Sequence, residues 1–497
     1  MKKIYSVISL LLLLAIPAFA GTVNVIGSTV PNWIAGVTWD ENADTYTRTD
    51  VLSRIATATK PADNLLPIHA KMKRCLLADN GTVNYYLCPI DSTKKVDCVT
   101  ASNLTGADGQ VMVEIPAFYL YYNYAGTTHT WKISQQPATG FSLHPAFVKD
   151  NANKSYRYIA AYEGSLWDAT TSTYTGSFNP IAAHAAAFAV TDNTITAMTG
   201  TPYALLAIGD VIVVSGTISN DGTYVISNVT GGNVITTIGA LATEVAAATV
   251  ISPPAVSTAN DKLSSVSGKY AYTNITRDNF RSMAANRGAG WRQVDYDLHS
   301  AIQLLYLIEY ASFYSQSMIG AGISNVTDWA AYNNSYPIAR TGNSNSISNS
   351  SGNTAGSTSA ATESTKYVSY RGVENLFGHI FKFIDGINVN NRVPYVTNVA
   401  FFFTDNTDAH YTSLGITMVN VNSWQSTLGQ ISRGFLPLTG GASSSTKITD
   451  AYYQSTGWKT ALIGGGASYQ GNAGIFCIAF DQASTSTLSF FGSRLAY

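Results

Sequence analysis

The residue types able to do chemistry are scattered along this chain rather than gathered. The seven histidines are His69, His129, His144, His184, His299, His379 and His410. None forms a close pair at metal-ligand spacing, and none lies in an H-E-x-x-H motif. A zinc ion needs three or four converging ligands, so no metal site is expected. His379 is expected inside a strand and reads as a core residue with satisfied ring nitrogens. His144 precedes Pro145 and suits a turn. There is no G-x-S-x-G elbow. Carboxylates are sparse; Glu309, Glu374 and Asp385 fall in structured C-terminal stretches. Glu374 and Asp385 would make an acid–base pair only if folding joined them. Local hydrogen bonding of Glu374 beside Arg371 is the favoured reading. Gly464-Gly465-Gly466 lacks the Lys-Ser/Thr of a phosphate loop and reads as close backbone packing or a bulge. No enzyme activity and no cofactor is expected.

Of the four cysteines, Cys88 and Cys98 flank a turn-rich segment and are the best candidate pair. Isolated buried thiols are the alternative. Cys75 and Cys477 match no zinc spacing.

Recognition is the chemistry these residues favour. The C-terminal stretch places polar side chains in two segments, 467–472 and 481–487, between apolar runs. Tyr452 and Tyr453 add aromatic rings, and Trp458 follows them. Flat aromatics beside amide and hydroxyl groups suit a glycan or protein ligand.

The elements that must hold these loops are mostly strands. Residues 21–175 read as short strands and turns, including a hairpin about Asp79-Asn80-Gly81-Thr82. Residues 176–253 contain no Lys or Arg, are rich in Val, Ile, Thr, Ala and Gly, and read as a small inserted all-β module. Residues 254–497 form the remaining region. Two helices are expected there. One follows Thr276 as N-cap, with Ile275 stapled on Phe280, and ends at Gly288. The other spans about 297–313, with Leu298, Ile302, Leu305 and Ile308 at helical spacing. The Ser/Asn/Gly/Thr stretch 341–366 reads as an exposed, mobile loop. The runs 380–384, 399–403, 475–480 and 488–491 read as strands.

Composition narrows the function. The chain has 497 residues, 46% of them hydrophobic, enough for a sizeable core. Only 12% are charged, about half the usual share, and 30 Tyr with many Ser, Thr and Asn stand instead. The formal net charge is −1 and basic residues do not cluster beyond Lys71, Lys73 and Arg74, which excludes a nucleic-acid partner. Lys2 and Lys3, an apolar core at 8–16 and Ala18-Phe19-Ala20 read as a signal peptide over 1–20, too short to span a membrane. The mature protein is expected to be secreted or held at the cell surface.

Gly290-Trp291-Arg292-Gln293 leading into 300–310, and the run 371–386, resemble prophage-encoded tail-associated proteins. So do 36–40 and 160–164. The ending, Gly464-Gly465-Gly466, Asn472-Ala473-Gly474-Ile475-Phe476 and Gly492-Ser493-Arg494-Leu495, is similar to the C-type-lectin-fold variable proteins. These include phage major tropism determinants and other targets of diversity-generating retroelements. The resemblance implies an α+β class: a C-type-lectin-like C-terminal domain with two helices and a mixed antiparallel sheet, a β-rich N-terminal region and the inserted β module. It also implies receptor binding through Tyr469, Gln470, Asn472, Asp481, Thr485, Ser486, Thr487 and Ser489. Ala467 stands where the family often has Trp, and the loops hold less Asn, which argues against active diversification. The signal peptide departs from a tail protein assembled in the cytoplasm. The leading expectation is an exported, non-enzymatic protein that recognises a cell-surface protein or glycan. An architectural alternative is a phage-derived tail tip or fibre component, virion-associated and trimeric. Formylglycine-generating enzymes share the implied fold, but their chemistry resembles paired-cysteine copper catalysis, and Cys477 stands alone in this half. The Glu-Pro-Asn and Trp-Asn-Asp signatures of calcium-dependent lectins are missing.

Overall fold

A computed structural model describes residues 33–326, 336–355 and 366–497. The expected signal peptide, 1–20, and residues 356–365 of the Ser/Asn/Gly/Thr stretch lie outside them.

Among the described residues, strands account for 39% and helices for 10%. The class is therefore mostly β, and the α+β class implied by the resemblance, with its two-helix lectin-like domain, is overturned. The helices exist, but they do not form a layer. Helix α1, Arg277–Ala285, is capped by Thr276, whose hydroxyl accepts from the Asn279 N–H at 3.2 Å. Helix α2, Tyr296–Tyr310, is capped by Asp295 and is buried at every residue. A helix surrounded on all sides is a core rod rather than an amphipathic surface element. Its C-terminal carbonyls, on Ile308 and Glu309, accept from Arg48 at 2.9 and 2.7 Å, which satisfies the acceptors a helix end leaves open. A short α3, Ser315–Ile319, follows.

Around α2 the sheets close. A five-stranded sheet includes Ile34–Asp40, Thr128–Ser134 and Tyr119–Ala125. A seven-stranded sheet draws on both ends of the chain: Leu495–Ala496 lies between Tyr156–Ala160 and Arg292–Gln293. A nine-stranded mixed sheet centres on Phe381–Asn390, Trp458–Ile463 and Ile478–Phe480. One apolar core runs from Ala35 to Ala496 and includes most of α2.

Residues between 181 and 252 form a closed six-stranded barrel with its own core of Phe188, Ile195, Tyr203, Ile212 and Ile235. Its first and last strands pair, Ile181 opposite Ile251. Outside it, Ser165–Asp168 pairs with Lys262–Ser264.

Several local expectations change. Residues 341–355 are not a free loop: Ser344 and Ser348 are buried, because they and Asn345 serve the buried Arg74 and Ser92. Residues 400–402 form a 3-10 turn, not a strand, with Phe401 91% exposed. The expected strand at 475–480 shortens to Ile478–Phe480, the one at 488–491 starts only at Phe491 and runs to Ser493, and His379 lies in a bend before the strand that begins at Phe381.

Candidate functional site

The C-terminal candidates sort by where the nine-stranded sheet puts them. Tyr453 pairs with Ala479, and Ala479 pairs with Leu462 on the next strand. Residues opposite one another share a face, so these three side chains line one floor. Phe381 and Phe491, directly paired on neighbouring strands, extend it. Tyr469 arrives from the glycine turn. Gly464 and Gly465 hold φ of +88° and +78°, and a Cβ on either would press on Leu376 O or on Ala473 at 2.9 Å. Only glycine makes this turn without strain, and it drops Tyr469 edge-on to Phe381 at 4.8 Å and to Tyr453 at 6.2 Å. Asp450 secures the return: its carboxylate accepts from the Phe476 N–H at 2.7 Å.

The result is a cleft of about 150 Å³, roofed by Leu488 and Phe490 and edged by Asp481 and Gln482. Among the described residues the Tyr453 and Tyr469 hydroxyls and the Asp481 carboxylate have no hydrogen-bond or ionic partner. The Asp481 backbone is held by Lys459, whose ammonium donates to its carbonyl at 3.1 Å. Burial, then the neighbouring Cys477 and Asp481, pushes the Tyr469 hydroxyl up to about 12. It therefore remains a neutral donor and acceptor at ordinary pH. The arrangement offers ring faces, two hydroxyls, an amide and a carboxylate around an apolar hollow.

Of the expected site residues, Tyr453, Tyr469 and Asp481 converge here. Tyr452 does not: alternation along its strand turns it into the core, where its one hydroxyl proton is shared between Gln454 Oε1 at 2.8 Å and Val419 O at 3.1 Å. Trp458 lies half-buried at 6.3 Å from Tyr395, outside the cleft lining. Gln470, Asn472, Thr485, Ser486, Thr487 and Ser489 also fall outside that lining; Gln470, Thr485 and Thr487 are exposed. Phe381, Gln482, Leu488 and Phe490 were missed. Gln482 and Leu488 sit in or beside the polar segment already singled out, but Phe381 reaches the cleft only through strand pairing.

The other chemical candidates have structural partners. His379 donates from Nδ1 to Glu163 at 2.5 Å and accepts at Nε2 from the Ile338 and Ala339 N–H groups. Lys382 completes that buried group at 3.0 Å from Glu163. Glu374 accepts from the Gly342 and Ser344 N–H groups, not from Arg371, which instead binds Glu309 and Asp63. Asp385 binds Arg281, so it and Glu374 serve separate partners. Cys88 and Cys98 are joined in a disulfide, while Cys75 and Cys477 are free and buried. Among the described residues no three His, Cys, Asp or Glu side chains are placed to hold a metal ion, and no helix is long and apolar enough to cross a membrane.

No protein-family model matches the chain, and no characterised protein matches it in sequence.

Proposed function

We propose that this is a non-enzymatic binding protein, exported and displayed or released at a cell surface, that holds a glycan or receptor group in the Tyr453/Tyr469/Asp481 cleft. One observation carries the reading: two tyrosine hydroxyls and a carboxylate without protein partners face an aromatic hollow. Buried polar groups in a finished core find partners; open ones beside ring faces suit a ligand that brings its own hydroxyls or amides. The hollow admits one ring or side chain, so affinity rests on a small anchor. Cys477 gives no support for catalysis, since it is buried and its thiol is pushed far up by burial and the nearby Asp450.

The test is binding of the purified protein to a glycan panel and to bacterial surfaces. Asp481→Asn and Tyr469→Phe, which keep shape and packing, are expected to weaken binding about tenfold and about threefold, in line with lost hydrogen bonds of 0.5–1.5 kcal/mol. Gln470→Ala and Thr487→Ala, outside the cleft, change it less than twofold. Undiminished binding by both cleft variants overturns the assignment.

A further inference from the structure

A larger hollow lies where the Asp79 hairpin turn, the end of α1 and the strands flanking the barrel meet. Trp167 pairs with Tyr174 on one side and with Lys262 on the other, so the three side chains form a row across a three-stranded sheet. The Trp167 and Tyr174 rings stand 4.9 Å apart, edge to face. Across from them Asp79 is fixed twice. Its carbonyl accepts from Trp291 Nε1 at 2.7 Å, and its carboxylate accepts from Arg287 Nη1 at 2.7 Å. Arg287 is itself nearly buried, with Nε on Leu263 O and Nη2 on Ser264 Oγ. The Lys262 ammonium stands 3.7 Å from the other Asp79 oxygen. Yet 47% of the Asp79 side chain remains exposed. The space between is about 440 Å³, within the range of small-ligand sites.

We propose that this hollow is a second ligand site, for a neutral pyranose unit. The tryptophan and tyrosine rings supply an apolar face for the C–H side of a sugar ring. Asp79 supplies an acceptor, and Lys262 beside it supplies a donor. That pair matches two adjacent hydroxyls, one donating and the next accepting. Asp79 is already paired with Arg287 at 2.7 Å and with Lys262 at 3.7 Å, so no uncompensated carboxylate in the hollow calls for a cationic sugar. Arg287 is committed to three protein acceptors, so it positions Asp79 rather than drawing an anion. The carboxylate is held in place before binding, which lowers the ordering cost. This site shares no residue with the C-terminal cleft and stands whether or not that cleft binds.

Saturation-transfer NMR on the full protein tests it, with the methyl glycosides of glucose, galactose, mannose and N-acetylglucosamine as probes. Transfer to at least one is expected. Asp79→Asn, which keeps the turn, and Trp167→Leu, which keeps apolar bulk in the strand, each reduce at least fivefold the transfer that remains in a Tyr469→Ala background, while Thr487→Ala, outside both hollows, leaves it unchanged. Tyr174→Leu provides a second test of the ring wall should Trp167→Leu fail to fold. Absence of transfer to all four glycosides overturns the proposal. So does transfer that persists in Asp79→Asn on that background, or that is already lost in Tyr469→Ala; the latter assigns the signal to the C-terminal cleft.

Discussion

Arg74 shows how much a single side chain organises. It is fully buried and donates to Gly372 O, to Ser92 and Ser344 hydroxyls and to Asn345 Oδ1, at 2.6 to 3.0 Å. Its guanidinium also sits 5.2 Å from the centre of the Tyr162 ring. Arg74→Ala removes four hydrogen bonds at once, three of them to buried acceptors, and is expected to cost about 3–5 kcal/mol, measured as a lower urea midpoint. Arg74→Lys recovers only part, because one ammonium lacks the planar fork that reaches all four. Nothing in the sequence announced this role. Arg74 stood out only as part of a weak basic cluster, and its partners Ser344 and Asn345 lie in a stretch whose composition reads as unstructured. Polar residues without apolar neighbours look like solvent loops until a buried cation far away in sequence claims them. Tyr452 fails for a related reason. Two adjacent tyrosines look equivalent, but strand alternation sends one to the cleft and its neighbour to the core.

At the scale of elements, legibility followed length. The two helices carried caps and periodic apolar residues over several turns, and α1 and α2 appear close to where those signals lie. The hairpin at Asp79-Asn80-Gly81-Thr82 was readable from its turn residues. Strands of two or three residues, such as Arg292–Gln293 and Leu495–Ala496, carry no period at all. The residue patterns nonetheless read mostly as strands; the α+β class came with the resemblance, and the sheets around α2 overturn it. The barrel offers a direct prediction. Because Ile181 lies opposite Ile251, its two ends are neighbours and a short Gly/Ser linker can replace the residues between them. The barrel core is its own cluster, joined to the body mainly through Tyr270 and the contacts of Asp210 with Lys269 and Arg340. The excised protein is expected to melt cooperatively within a few degrees of the parent and to keep binding at the C-terminal cleft. Circular dichroism melts and the glycan assay check this; loss of the cooperative transition would show that the barrel supports the body.

The whole molecule carries a pH dependence built from buried rings. Burial lowers His69 to about 4 and His144 and His299 to about 3. The unfolded chain protonates each near the ordinary value of 6.5, while the folded protein stays neutral until far lower. Stability is therefore complete above pH 6.5 and falls below it, by roughly 1.4 kcal/mol per pH unit for each such histidine. Asp450 and Glu374, pushed up by burial, act in the opposite sense, so a single variant isolates the effect. His144 accepts from the Ala146 N–H, and His144→Asn preserves an acceptor while removing the titration. Between pH 7.5 and 5.5 the variant is expected to lose about 1.4 kcal/mol less than the parent by urea unfolding; equal losses would contradict the neutral ring. One further consequence concerns time. Leu495–Ala496 is the piece that joins Arg292–Gln293 to Tyr156–Ala160. A ribosome makes these strands in an order unrelated to their neighbourhood, and non-local pairing of this kind is slow. The seven-stranded sheet stays in two parts until residue 496 has been synthesised. Its completion waits on a strand made after both of its neighbours, and comes as one step rather than gradually.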